Sequence, residues 1–82
     1  MLTIDHKEGF LRTISKIKDE AIKDRIKKLI NKAIDNPNIG KPMRYGRKGT
    51  RELYLPPYRL AYAYLPEEDR IIFLEIYHND EQ

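Results

Sequence analysis

The chain has 82 residues, with 16 Lys/Arg against 13 Asp/Glu and no cysteine; that length predicts one domain over residues 1–82 with one core, burying roughly 60–65% of the unfolded chain's surface. Without cysteine there are no disulfides or thiolate metal ligands, and the two isolated histidines, His6 and His78, form no metal-binding spacing, so neither a metal nor another cofactor is expected. No basic segment followed by an apolar run opens the chain and no apolar stretch of about 18 residues occurs, which predicts a soluble cytoplasmic protein with no membrane partner.

Leu2-Thr3-Ile4 is short and apolar enough for an edge strand. Phe10, Leu11, Ile14 and Ile17 then fall on one helical stripe. After a break near Lys18-Asp19 a longer stripe follows at Ile22, Ile26, Leu29, Ile30, Ala33 and Ile34, so two amphipathic helices are predicted. Asp19, Glu20 and Asp24 open the second helix and Lys27, Lys28 and Lys32 crowd its end, the polarity that the helix dipole favours. Asn36-Pro37 ends it. No heptad is sustained, and the lysines outside the stripe read as a solvated face.

Charge is then distributed unevenly. Residues 41–59 carry six Lys/Arg against one Asp/Glu, whereas residues 60–82 carry one against six. The basic stretch suits a polyanion, above all nucleic acid, with an acidic protein or a plain solvated surface as the alternatives. Beyond Pro42 the apolar period changes from 3.6 to 2: Arg51 to Leu55, Tyr58 to Leu65 and Arg70 to Tyr77 read as three strands of an antiparallel meander. Pro56-Pro57 supplies no residue with positive φ for a tight hairpin, so a wider turn or a bulge is expected there.

Alternation divides each strand between two faces. With the helices covering one side, Leu53, Leu55, Leu60, Tyr62, Tyr64, Ile72, Leu74 and Ile76 are predicted to point inward. Glu52, Tyr54, Arg59, Glu75 and Tyr77 then share the uncovered face. The predicted architecture is α+β, two N-terminal helices packed on one face of a small, mainly antiparallel twisted sheet.

Two helices followed by GKPMRY at 40–45, a glycine-containing basic loop, RELYL, YRLAY at 58–62 and a last strand ending IYHNDEQ resemble the RelE/ParE superfamily of toxins from toxin–antitoxin systems. The resemblance covers nearly the whole chain and implies a RelE-like fold and an antitoxin partner. In the RelE branch it implies binding to the ribosome and metal-independent cleavage of messenger RNA, by attack of a 2′-hydroxyl on its adjacent phosphate. In the ParE branch a similar fold inhibits DNA gyrase, and a member of the same fold without RNase activity that serves as a protein-binding module is the further alternative.

Carried over by position, Arg59 matches the strand arginine of the Tyr-Arg motif, whose planar fork suits a phosphate that gains charge in the transition state; a salt bridge to Glu52 or Glu75 is its alternative. Lys41, Arg44, Arg47, Lys48 and Arg51 resemble a basic loop that holds RNA backbone, with Tyr54 beside them. His78 matches the histidine of the closing motif and suits acid–base work. Tyr77 suits hydrogen bonding or stacking. Glu52 and Tyr54 stand where the RelE branch commonly has Lys or Arg, and Asn79 where Arg is common, which implies a different division of labour: Glu52 or Glu75 as base and Tyr77 or His78 as acid.

Overall fold

The computed structural model describes residues 1–43 and 49–78. Its elements run β1 (Thr3–His6), α1 (Phe10–Ser15), α2 (Glu20–Asp35), β2 (Lys41–Pro42), β3 (Thr50–Leu55), β4 (Tyr58–Leu65) and β5 (Arg70–His78), with a 3-10 turn at Pro66–Glu68. The five strands form one sheet in the order β1-β5-β4-β3-β2, in which only the β1–β5 pairing is parallel. The class is α+β, as expected. Among the described residues no helix is long and apolar enough to cross a membrane.

Local chemistry sets the helix boundaries. Asp19 caps α2, its Oδ1 accepting from the N–H groups of Ala21 at 2.9 Å and Ile22 at 3.3 Å. Asn36 ends it, because Pro37 has no N–H to continue the ladder. Gly9 precedes α1 with φ +91°, a conformation that a side chain would strain.

The predicted stripe of α2 is the buried one. Ile26 and Ala33 are fully enclosed, and Ile22, Leu29, Ile30 and Ile34 pack around them. From α1, Phe10 is buried and stacks on Phe73 with ring centroids 5.5 Å apart; Tyr62 lies beyond, 6.1 Å from Phe73. Leu11, expected on the same stripe, is exposed, because the helix is only six residues long and turns Phe10 alone fully into the core.

Two expectations about the strands fail, each for its own reason. In β5 the inward residues are Ile71, Phe73 and Ile76, not Ile72, Leu74 and Ile76. Ala61 pairs with Glu75 but Tyr62 pairs with Phe73, so Leu74 is an extra residue, and this bulge inverts the alternation along the rest of the strand. The predicted irregularity at Pro56-Pro57 is absent. Leu55 pairs directly with Tyr58, and the two prolines, joined by a cis peptide, reverse the chain by themselves.

Candidate functional site

Residues directly opposite each other in antiparallel strands share a face. The pairings Glu52 with Ala61 and Ala61 with Glu75, and Tyr54 with Arg59 and Arg59 with Tyr77, therefore gather Glu52, Tyr54, Arg59, Glu75 and Tyr77 on the face away from the helices. The bulge at Leu74 lies before Glu75, so the predicted grouping of this cluster survives. Ala61 between them is small, which lets the long polar side chains of three strands meet above it.

The Glu52 carboxylate is the hub. Its Oε1 accepts from Arg59 Nη1 at 2.8 Å and its Oε2 from Tyr77 Oη at 3.1 Å. The salt bridge foreseen as the alternative for Arg59 is thus formed with Glu52. Both side chains are about a quarter exposed, so the charge-assisted bond contributes about 1 kcal/mol. The guanidinium carbon of Arg59 also sits 5.2 Å from the centre of the Tyr54 ring, a cation–π contact that fixes its fork in space. The Tyr77 phenol is pushed up from its ordinary value, by burial first, then by its hydrogen bond to Glu52 and by the negative charges of Glu52 and Glu75, with Arg59 opposing. Tyr77 therefore keeps its proton at neutral pH and is a donor.

Two predicted site residues lie elsewhere. His78 is paired with Tyr58 and meets it edge-on at 5.6 Å, on the helix side of the sheet, opposite the face that carries Tyr77. Arg51 pairs with Tyr62 on that same inner side, and its Nη1 donates to the carbonyls of Gly40 at 2.7 Å and Asn38 at 3.2 Å. The alternation that placed Leu53 and Leu55 inward applies equally to Arg51, and that of Ile76 to His78, so the signal was present in the sequence.

Arg51 works with a residue that sequence reasoning left in the core. Tyr62, fully buried, donates from Oη to the Pro37 carbonyl at 2.7 Å and accepts from the Gly40 N–H at 2.9 Å. The two side chains latch residues 37–40 onto the sheet and so set where β2 begins. Lys41 follows at once, paired with Glu52 and hence on the open face. Arg44, Arg47, Lys48 and Asn79 lie outside the described residues. Beside the Glu52–Arg59 pair, Ile39, Lys41, Glu52, Leu53, Tyr54 and Arg59 line a hollow of about 350 Å³. Among the described residues no group of His, Asp and Glu side chains is arranged to hold a metal ion.

A model of the family described as the ParE toxin of the type II toxin–antitoxin system, parDE, matches residues 6–82. Comparison with curated protein sequences gives no match. Several solved structures superpose over most of both chains. The isolated E. coli RelE toxin gives a TM-score of 0.79 at 20% identity, over 95% of this chain and 84% of that one. The toxin in the RelB–RelE antitoxin–toxin complex from Methanococcus jannaschii gives 0.74 at 18%, over 94% and 92%. A metal-bound toxin from Helicobacter pylori gives 0.72 at 25%, over 99% and 98%. The fold is RelE-like.

Proposed function

The chain belongs to the family of ParE toxins of type II toxin–antitoxin systems, and from that premise we propose that residues 1–82 act as one toxin domain that cuts ribosome-bound messenger RNA in the cytoplasm. The observation that carries this reading is the cluster of Glu52, Arg59 and Tyr77, held within hydrogen-bonding distance on the open sheet face. It combines an acceptor, a cation and a proton donor.

In this scheme Arg59 engages the scissile phosphate, where negative charge grows as the 2′-oxygen bonds to phosphorus. Glu52, or Glu75 beside it, takes the 2′-hydroxyl proton. Tyr77 gives its proton to the departing 5′-oxygen, leaving a 2′,3′-cyclic phosphate and a 5′-hydroxyl. The Glu52–Tyr77 hydrogen bond then offers the direct path by which the proton on the carboxyl group returns to the phenolate. Lys41 is in reach of the neighbouring backbone, with Arg44, Arg47 and Lys48 as further phosphate contacts. His78 is left the role of a packing residue against Tyr58.

The resting partner is an antitoxin. The complexes of E. coli RelBE and of M. jannaschii RelB–RelE support this, since each is a toxin of the same fold bound to its antitoxin. A second reading is ParE-like inhibition of DNA gyrase, favoured by the family match and by the partial neutralisation of Arg59 by Glu52. Induction of the chain alone, followed by mapping of transcript ends and by a gyrase supercoiling assay, separates them. Cut transcripts with 5′-hydroxyl ends support the first reading; intact transcripts with gyrase inhibited replace it with the second.

A further inference from the structure

We infer that the hollow lined by Ile39, Lys41, Glu52, Leu53, Tyr54 and Arg59 seats one unpaired nucleobase, stacked on Tyr54, with its backbone phosphate on Lys41. The inference rests on the nucleic-acid reading of the open face and names the part of the strand that this face grips.

Two large apolar side chains stand out into solvent at this one place: Tyr54 is 55% exposed and Ile39 44%. The Arg59 guanidinium already covers part of the Tyr54 ring from 5.2 Å, which holds the ring as a platform and leaves the rest of it open. A planar, largely apolar ligand gains by lying on such a surface, and every base has the π-face needed, whatever its identity. The hollow's volume of about 350 Å³ accommodates a group of nucleotide size.

Polar groups at the rim fit the same ligand. Lys41 faces the hollow from the adjoining strand and makes no ion pair among the described residues, so its charge is available to a phosphate. Glu52, engaged by Arg59 and Tyr77, holds the guanidinium at the rim beside the Tyr54 ring. A base inside a duplex cannot reach this seat, because both of its faces are already stacked; the site therefore selects single strands.

The test is binding of isolated protein to dye-labelled 2′-O-methyl RNA, which cannot be cut by its own 2′-oxygen, compared with the same oligonucleotide carrying one abasic position. The wild type binds the intact strand about tenfold more tightly than the abasic one. Tyr54→Ala abolishes that preference, Tyr54→Phe keeps it, and Lys41→Ala weakens both strands equally and lowers the salt dependence of binding by about one counterion. Lys28→Ala, on the exposed face of α2, is the control for loss of charge, and circular dichroism establishes that each variant is folded. Equal affinity for the two strands, no binding of either, or a base preference that survives Tyr54→Ala overturns the inference. Displacement of the strand by an acidic peptide, with no base preference, reassigns the hollow to a protein. Base-dependent binding without cleavage in a translation assay keeps the seat and removes the nuclease reading; cleavage without base dependence does the reverse.

Discussion

Tyr62→Phe removes one oxygen and tests how residues 37–40, ahead of Lys41, are held. In the wild type that oxygen satisfies the buried Gly40 N–H at 2.9 Å and the Pro37 carbonyl at 2.7 Å. A buried donor left without a partner costs about 1–3 kcal/mol, whereas the Pro37 carbonyl lies in a partly buried bond that water can replace. The expected loss is about 2 kcal/mol, or roughly 8–16 °C in Tm for a domain of this size. Gly40→Ala strikes the same contact from the other side: a Cβ there would stand 2.5 Å from Tyr62 Oη and 2.8 Å from Cε1. The ring is wholly enclosed, so it must shift or the segment must lift, at about 1–3 kcal/mol. The double variant relieves only the contact with the oxygen, so its loss should fall short of the sum by about 1 kcal/mol. Urea unfolding of the four proteins measures all three values. A Tyr62→Phe variant within 0.5 kcal/mol of wild type, at unchanged m-value, would refute the latch.

Arg51→Ala should cost about 1–2 kcal/mol in the same unfolding assay, since two backbone carbonyls lose their donor, while RNA affinity falls only as far as the 37–40 segment is displaced. Both Tyr62 and Tyr77 titrate above the ordinary phenol value of 10.0, so the folded chain keeps these protons where the unfolded chain releases them. The stability this provides is fully present below about pH 10 and is lost as pH rises through the folded values, which unfolding at stepped alkaline pH will follow. Glu52→Gln leaves an amide oxygen that can accept from Tyr77 but removes the negative charge that helps raise it. Its phenol should then ionise at lower pH in an ultraviolet titration, and cleavage should drop by about 10²- to 10⁴-fold. Antitoxin binding, measured calorimetrically, should weaken with added salt and with charge reversal at Arg44, Arg47 and Lys48; indifference to both would mean an apolar interface.

Much of this arrangement is written in the sequence because burial imposes a period. The stripe from Ile22 to Ile34 is the face that α2 buries, and the boundaries of β3, β4 and β5 follow their β-branched and aromatic runs to within a residue. Glu52, Tyr54, Arg59 and Tyr77 could be grouped by parity alone. What parity cannot reveal is an inserted residue: nothing in Arg70–His78 marks Leu74 as a bulge, because Ile71, Ile72, Phe73 and Leu74 are apolar on both possible faces. The turn at Pro56-Pro57 escaped for another reason: the lack of a residue with positive φ argued against a tight reversal, yet the two prolines close one between the paired Leu55 and Tyr58.

Arg51 and His78 illustrate two signals in conflict. Alternation put both on the covered side, while their chemistry suggested the open one, and the structure follows alternation. A basic residue near a basic loop is not thereby a phosphate ligand; Arg51 spends its guanidinium on backbone carbonyls that a helix end and a short strand leave exposed. Tyr62 was legible as core, but its partnership with Gly40, 22 residues away, depends on tertiary packing that no local pattern encodes.

The most direct measurement is a ribosome-programmed translation reaction in which the 5′ ends of the messenger are mapped with wild type and Arg59→Ala. The account predicts cuts bearing 5′-hydroxyl ends with the wild type, reduced by about 10²- to 10³-fold in the variant while the protein stays folded. No cutting by the wild type, or equal cutting by Arg59→Ala, would contradict it.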